Sequence, residues 1–202
     1  MQSIADKILK VIRGHGPGWV FTPASFKKIG SRAAAESALR RYKNNGIIRQ
    51  VARGLYDYPV KDPRLGLLAP SLDRVLSALE ERDAVRLQPS GAYAANLLGL
   101  SDQVPMKIVF LTDGPTRKLK VGNRRILLKR TTPRNMATVG RVSGTVIQAL
   151  RWLGKRQVDD HIIAILKERL DAGEKARLMK DIHYAPIWIA RIFRAIAGTR
   201  DE

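Results

Sequence analysis

Glycine and proline cut the first sixty residues of this chain so finely that only short elements fit between the breaks. They fall at Gly14, at Gly16-Pro17-Gly18, at Gly30, at Gly46 and at Gly54. Such breaks end helices and turn hairpins, because glycine takes positive φ without steric cost and proline withholds an amide. Ahead of the first break, Ile4, Ile8, Val11 and Ile12 recur at helical spacing behind Ser3, which predicts a short amphipathic helix. Trp19-Val20-Phe21 is a short extended piece. Thr22-Pro23 has the form of an N-cap with proline at the first helical position, opening a helix over 24–29 that Gly30 ends. Ser31 caps a longer helix over 32–45, stopped by Gly46. Strands over 47–51 and 55–58 flank the tight loop Ala52-Arg53-Gly54. Three short helices followed by a two-stranded ribbon is the order of a winged helix-turn-helix. That fold lays its third helix in the major groove and its wing along the backbone or minor groove.

Charge points the same way. The 202 residues hold 37 Lys+Arg against 18 Asp+Glu, a net charge of +19. A surplus of that size calls for a polyanionic partner, nucleic acid before anionic membrane. Residues 1–61 carry 12 basic and 3 acidic side chains, and the remainder 25 and 15, so the first part is about twice as basic per residue. With no cysteine, disulfides, thiol catalysis and cysteine-based metal sites are excluded. Asp6 and Lys7 interrupt what a signal peptide would need as an apolar run. No stretch approaches the about 18 uncharged apolar residues of a membrane span. The expectation is a soluble, cytoplasmic, nucleoid-associated chain that makes no use of a membrane.

On a helical wheel of 31–45, Ala35, Ala38, Leu39 and Tyr42 share the core side. Arg32, Ala33, Glu36, Ser37, Arg40 and Lys43 take the other. Small Ala33 and Ser37 permit close approach to a base-pair edge. Arg32 and Arg40 are suited to fork onto guanine O6/N7 or to clamp phosphate. Ser31 and the first-turn amides make a helix start fit for phosphate. Lys27 and Lys28 precede that turn and grip flanking backbone, which positions without reading sequence. Arg49 and Arg53 load the wing. Any one exposed Arg or Lys is ordinarily just a solvated face; their coincidence with the element order and the net charge is what points to DNA. Tyr56 and Tyr58, two apart, share a strand face and are expected to pack against the helices.

The segment FTPASFKKIGSRAAAESALRRYKNNGIIRQVARGLYDYP closely resembles the N-terminal winged-helix domain of the AbiEi-like antitoxins of bacterial type IV toxin–antitoxin systems. Its specific parts are Phe21-Thr22-Pro23, Gly30-Ser31-Arg32 and Arg53-Gly54-Leu55-Tyr56. The likeness continues, less diagnostically, through PSGAYAANLLGLSDQVP, VFLTDGPTRKLKVGN and SGTVIQALRWLGK. The resemblance implies an antitoxin that represses its own operon and neutralises a cognate nucleotidyltransferase-like toxin, by direct contact or functionally.

The proline-bearing stretch PVKDPRLGLLAP places a linker at 62–67, between a winged helix-turn-helix domain at 1–61 and an antitoxin or regulatory domain at 68–202. In the latter, a helix over 71–82 precedes a short strand at 85–87 and a helix after Ser90-Gly91. β-prone runs at 106–112, 117–121 and 125–129 follow, the last two joined by Gly122-Asn123, a good hairpin turn. Four helical segments complete the chain. The fold class is α+β, with a small antiparallel sheet and a helical C-terminal bundle. From 117 to 134 there are eight basic residues and no acidic one. Of these, Lys118, Lys120 and Arg124 can share one ridge, a second contact for DNA or toxin, against the plainer reading of an edge strand guarded by lysine. The last helix, with Ile187, Trp188, Ile189, Ile192, Phe193 and Ile196, is expected to dock on its own bundle.

No catalytic residue, metal site or cofactor is expected. Asp159-Asp160-His161 is the one tempting cluster, but adjacent helical carboxylates point about 100° apart, and a helix start rewards both charges. The reading is a repressor that binds inverted-repeat operator DNA, with a homodimer on paired half-sites. The alternatives are a stand-alone winged-helix regulator, or a basic protein-interaction module without sequence-specific DNA binding.

Overall fold

The computed structural model describes residues 2–103 and 105–198. The chain divides into two compact units, residues 1–85 with 120–122 and residues 86–119 with 123–202. Both helix and small sheets contribute, so the architecture is mixed α+β.

The N-terminal unit opens with α1 (Ile4–His15), capped by Ser3, whose hydroxyl accepts from the Asp6 amide while Asp6 accepts in return. β1 (Val20–Phe21) follows, then a 3-10 turn at Pro23–Phe26 in place of the expected α-helix over 24–29. α2 (Arg32–Asn44) starts at Ser31, whose side chain accepts from Ala34 N at 3.2 Å. β2 (Arg49–Ala52) and β3 (Leu55–Asp57) form an antiparallel hairpin, turned by Arg53-Gly54 with Gly54 at φ 68°. β1 adds to β3 as a third strand, Phe21 opposite Tyr56. Its two residues are both buried and show no alternation. Ile8, Ile12, Phe21, Phe26, Ala35, Leu39, Tyr42 and Ile48 make the core, and Tyr56 and Tyr58 pack against it as expected.

At 62–67, where the sequence reading has a linker, the chain pairs β4 (Lys61–Asp62) with β5 (Gly66–Leu67). Asp62 accepts the amides of Leu65 and Arg64 across that turn, which holds its carboxyl below the usual range. α3 (Leu72–Asp83) then joins this first unit, burying Val75, Leu76, Ala78 and Leu79.

After Val85, β6 (Leu87–Ser90) leads into α4 (Gly91–Leu97), and β7 (Lys107–Thr112) into β8 (Arg117–Val121), whose last two residues group with the first unit, and β9 (Arg124–Arg130). The sheet order is β6-β7-β9-β8, and β7 runs parallel to β9, Ile108 opposite Ile126 and Phe110 opposite Leu128. The expected antiparallel sheet is therefore corrected to a mixed one. Burial explains the order: β9 hides Ile126 and Leu128 and takes an interior place, while β8, with Lys118 and Lys120 exposed, takes the edge. Since the tight turn at Gly122-Asn123 reverses the chain between β8 and β9, β9 ends up running along β7.

The helical part comprises α5 (Pro133–Met136), α6 (Val142–Leu153), α7 (Asp160–Arg169), α8 (Ala172–Lys180) and α9 (Ile187–Ala197). α6 is buried almost all round, as a central helix must be. Gly144 lets it approach, since a Cβ there would lie 2.5 Å from both Thr138 O and Gln88 Oε1. Buried Asp181 accepts from Arg141 at 2.6 Å and from the Ser143 hydroxyl, tying the end of α8 to the start of α6. α9 places Ile189, Phe193 and Ile196 in the same core as α6 to α8, so it docks on its own bundle. Among the described residues no helix is long and apolar enough to cross a membrane.

Candidate nucleic-acid interface

α2 divides along the predicted line. Ala35, Ala38, Leu39 and Tyr42 are buried, while Arg32, Ala33, Ser37, Arg40 and Lys43 are exposed on the opposite side. Periodicity alone places them so, because four core residues at three- and four-residue spacing fix the helix rotation. The small residues Ala33 and Ser37 form a shallow strip flanked by long cations. Ser31 is exposed, and its oxygen is engaged as the cap; the first-turn amides it leaves uncapped remain for an anion.

Arg32 is not wholly free. Its Nε donates to Glu36 Oε1 at 2.9 Å, one turn along the same helix, with the arginine side chain 84% exposed. Such a surface pair contributes only about 0.3–0.5 kcal/mol. It holds the guanidinium upright on the outer face and leaves both Nη groups for a ligand. Lys27 and Lys28, at the turn before α2, are exposed.

In the ribbon, the two expected arginines part ways. Arg53 sits at the exposed tip, its carbonyl accepting from Arg82 Nη1 at 3.2 Å, which anchors the turn. Arg49 has partners within the fold. Its Nε and Nη2 grip Asp57 at 3.1 and 2.6 Å, and Nη2 also donates to Leu68 O at 2.8 Å. The Asp57 side chain is 1% exposed. A carboxylate that deep needs a fixed cation, so Arg49 serves as a strut, with Nε and Nη2 engaged inside the fold. The carboxylate beside it pushes the Arg49 pKa up, further from proton loss.

Sequence reading missed Arg41. It is exposed and lies one turn beyond Ser37, on the same strip, and its charge reaches Asp6 of α1. The i, i+4 spacing from Ser37 was the available signal. On the β8–β9 hairpin, alternation leaves Lys118 and Lys120 exposed on one face of β8, with Arg124 exposed beside the turn.

A family of unknown function, DUF6088, matches residues 7–178. The chain belongs to the DUF6088 family. Among solved structures, a crystal structure of the RV2827C protein from Mycobacterium tuberculosis is similar to it, at 14% identity and a TM-score of 0.48, covering 100% of this chain and 83% of that one. No curated protein matches it.

The one tempting acidic cluster of this DUF6088 chain has a structural use. Asp159 is the N-cap of α7, its Oδ1 accepting from Ile162 N at 2.9 Å, and Asp160 follows in the first turn. Among the described residues no group of three or more His, Asp or Glu is placed to hold a metal ion.

Proposed function

We propose that this chain is a DNA-binding antitoxin that represses its own operon and neutralises a cognate nucleotidyltransferase-like toxin. In this reading the N-terminal unit works as a winged helix-turn-helix. The observation that carries the DNA half is the outer face of α2, where Arg32, Ala33, Ser37, Arg40 and Lys43 stand exposed with no buried role. Arg32 and Arg40 read guanine edges past the small strip, while Lys27, Lys28, Lys43 and the Arg53 tip hold phosphate. Phosphate contacts supply much of the affinity and a steep salt dependence. Two protomers on inverted half-sites spaced by about one helical turn supply specificity, and promoter occlusion supplies repression. The toxin half is supported by the AbiEi-like resemblance of the segments quoted above. The action belongs in the bacterial cytoplasm, on the nucleoid. The hairpin residues Lys118, Lys120 and Arg124 add a second anionic contact.

Hydroxyl-radical footprinting of the DNA upstream of the chain's own reading frame tests the first half. Two protected half-sites in inverted repeat are expected, and uniform cleavage across the region would refute repression by direct occlusion. Co-expression with the neighbouring nucleotidyltransferase-like gene tests the second; growth rescued by this chain is the expected result. If the neighbourhood holds no such gene, a stand-alone winged-helix regulator is the better reading.

A further inference from the structure

Between Asp113 and Asp159 the chain carries twelve basic residues and no acidic one. Part of that surplus gathers, far along the sequence from the β8–β9 hairpin, where α6 ends. Trp152, in the last turn of α6, is 49% exposed, with its Cδ1 edge beside Gly91, 3.8 Å from where a Cβ there would lie. Arg151 precedes it, and Lys155 and Arg156 follow in the 3-10 turn Lys155–Gln157, all exposed. Arg134 of α5 faces Arg151 closely enough for their charges to interact. Asn135 fixes the geometry, accepting from Arg151 Nη1 at 2.8 Å and donating to Thr131 Oγ1 at 2.8 Å.

No carboxylate pairs with Arg134, Arg151, Lys155 or Arg156 among the described residues. Partial desolvation of its guanidinium lowers the Arg151 pKa, and the like charge of Arg134 lowers it further. The helix C-terminus accounts for one cation there. It does not account for a second guanidinium close to the first, nor for the half-exposed indole next to Arg151 in sequence.

We infer that the second unit carries its own site for single-stranded nucleic acid, in which an unpaired base stacks on Trp152 and the flanking phosphates meet Arg134, Arg151, Lys155 and Arg156. The indole selects the strand state. Base faces are hidden inside a duplex and free in a single strand, and an aromatic platform ringed by cations is the arrangement that takes them. An acidic peptide would meet the cations and leave the indole unused. The site is independent of α2 and of the reading of α2 as a duplex reader.

The test uses the full chain and three labelled probes followed by fluorescence anisotropy: oligothymidylate, oligouridylate, and an abasic sugar-phosphate oligomer of the same length. Trp152→Ala is expected to weaken both base-bearing probes about tenfold and the abasic one less than about twofold, the stacking being absent there. Arg134→Ala is expected to weaken all three and to flatten their salt dependence. As a measurement that leaves the site itself unaltered, Trp152 fluorescence in a Trp19→Phe/Trp188→Phe background, checked for retained fold, should quench saturably with oligothymidylate and not with the abasic oligomer. Absent quenching, equal losses on base-bearing and abasic probes, or full competition by oligoglutamate at equal charge would each overturn the proposal.

Discussion

Replacing Arg49 by methionine separates a structural cation from a DNA-binding one. The substitution keeps a similar stem and removes the guanidinium that meets Asp57 through two nitrogens and caps Leu68 O. What remains is a carboxylate side chain 1% exposed with no cation beside it. Removing one partner of a buried pair costs about 3–5 kcal/mol. Against a whole-domain stability of about 5–15 kcal/mol, that is a large share. With a urea dependence of about 1–3 kcal/mol per molar, the midpoint should fall by at least about 1 M. Trp19, whose ring lies 4.6 Å from that of Phe21 in the same unit, reports the transition once Trp152 and Trp188 are phenylalanine. The double variant Arg49→Met/Asp57→Leu removes both charges and should recover most of the loss, since an apolar pair of similar volume replaces a buried ion pair nearly neutrally. Where the single variant is folded, its affinity for DNA should stay within about twofold of the parent, because the lost donors faced inward. An unchanged midpoint combined with a large loss of DNA affinity would refute the strut and restore Arg49 to the interface.

Three further outcomes follow from the geometry. Gly144→Ala forces a methyl to within 2.5 Å of Thr138 O and should lower stability by about 1–3 kcal/mol, read as a drop in melting temperature with helix content retained at low temperature. The Asp113 carboxyl is held below the usual range, first by the Arg86 amide and then by its guanidinium; a lowered folded value stabilises above the unfolded pKa and is lost as pH falls through the folded one. A carbon-detected NMR titration should show that low midpoint, mostly kept in Arg86→Ala because the amide remains, and an ordinary midpoint would count against the contact. Reversing charge at Lys118, Lys120 and Arg124 should weaken operator binding or toxin neutralisation; a variant intact in both would make the hairpin only a guarded sheet edge.

How much of this was legible depended on the range of the interactions. The face of α2 could be read because its signal, Ala35, Ala38, Leu39 and Tyr42 at helical spacing, is local. Arg49 could not: its partners are Asp57, eight residues on, and the Leu68 carbonyl, nineteen on, and a strand arginine carries no local mark of burial. The ribbon at 61–67 looked like a linker because Pro63 within it, and Pro59 and Pro70 on either side, are of the residue type that also bounds turns. The strands of the second sheet were visible as β-prone runs, but their order was not. It is set by competition among runs for the buried interior place, which β9 wins on Ile126 and Leu128. Asp159 and Asp160 were legible as residues of a helix start, because the charge preference there acts within one turn.

The account turns on whether the outer strip of α2 reads DNA. Its most direct test is an anisotropy titration of the full chain on the upstream duplex and on a shuffled duplex, across a salt series, with Ser37→Glu, Arg32→Ala and Lys28→Ala. The account predicts clear preference for the upstream sequence, abolished by Ser37→Glu, relaxed by Arg32→Ala, and kept by Lys28→Ala, which weakens both duplexes alike and lowers the salt slope by about one. Equal affinity for the two duplexes in the parent chain, or equal losses on both for all three variants, would contradict it.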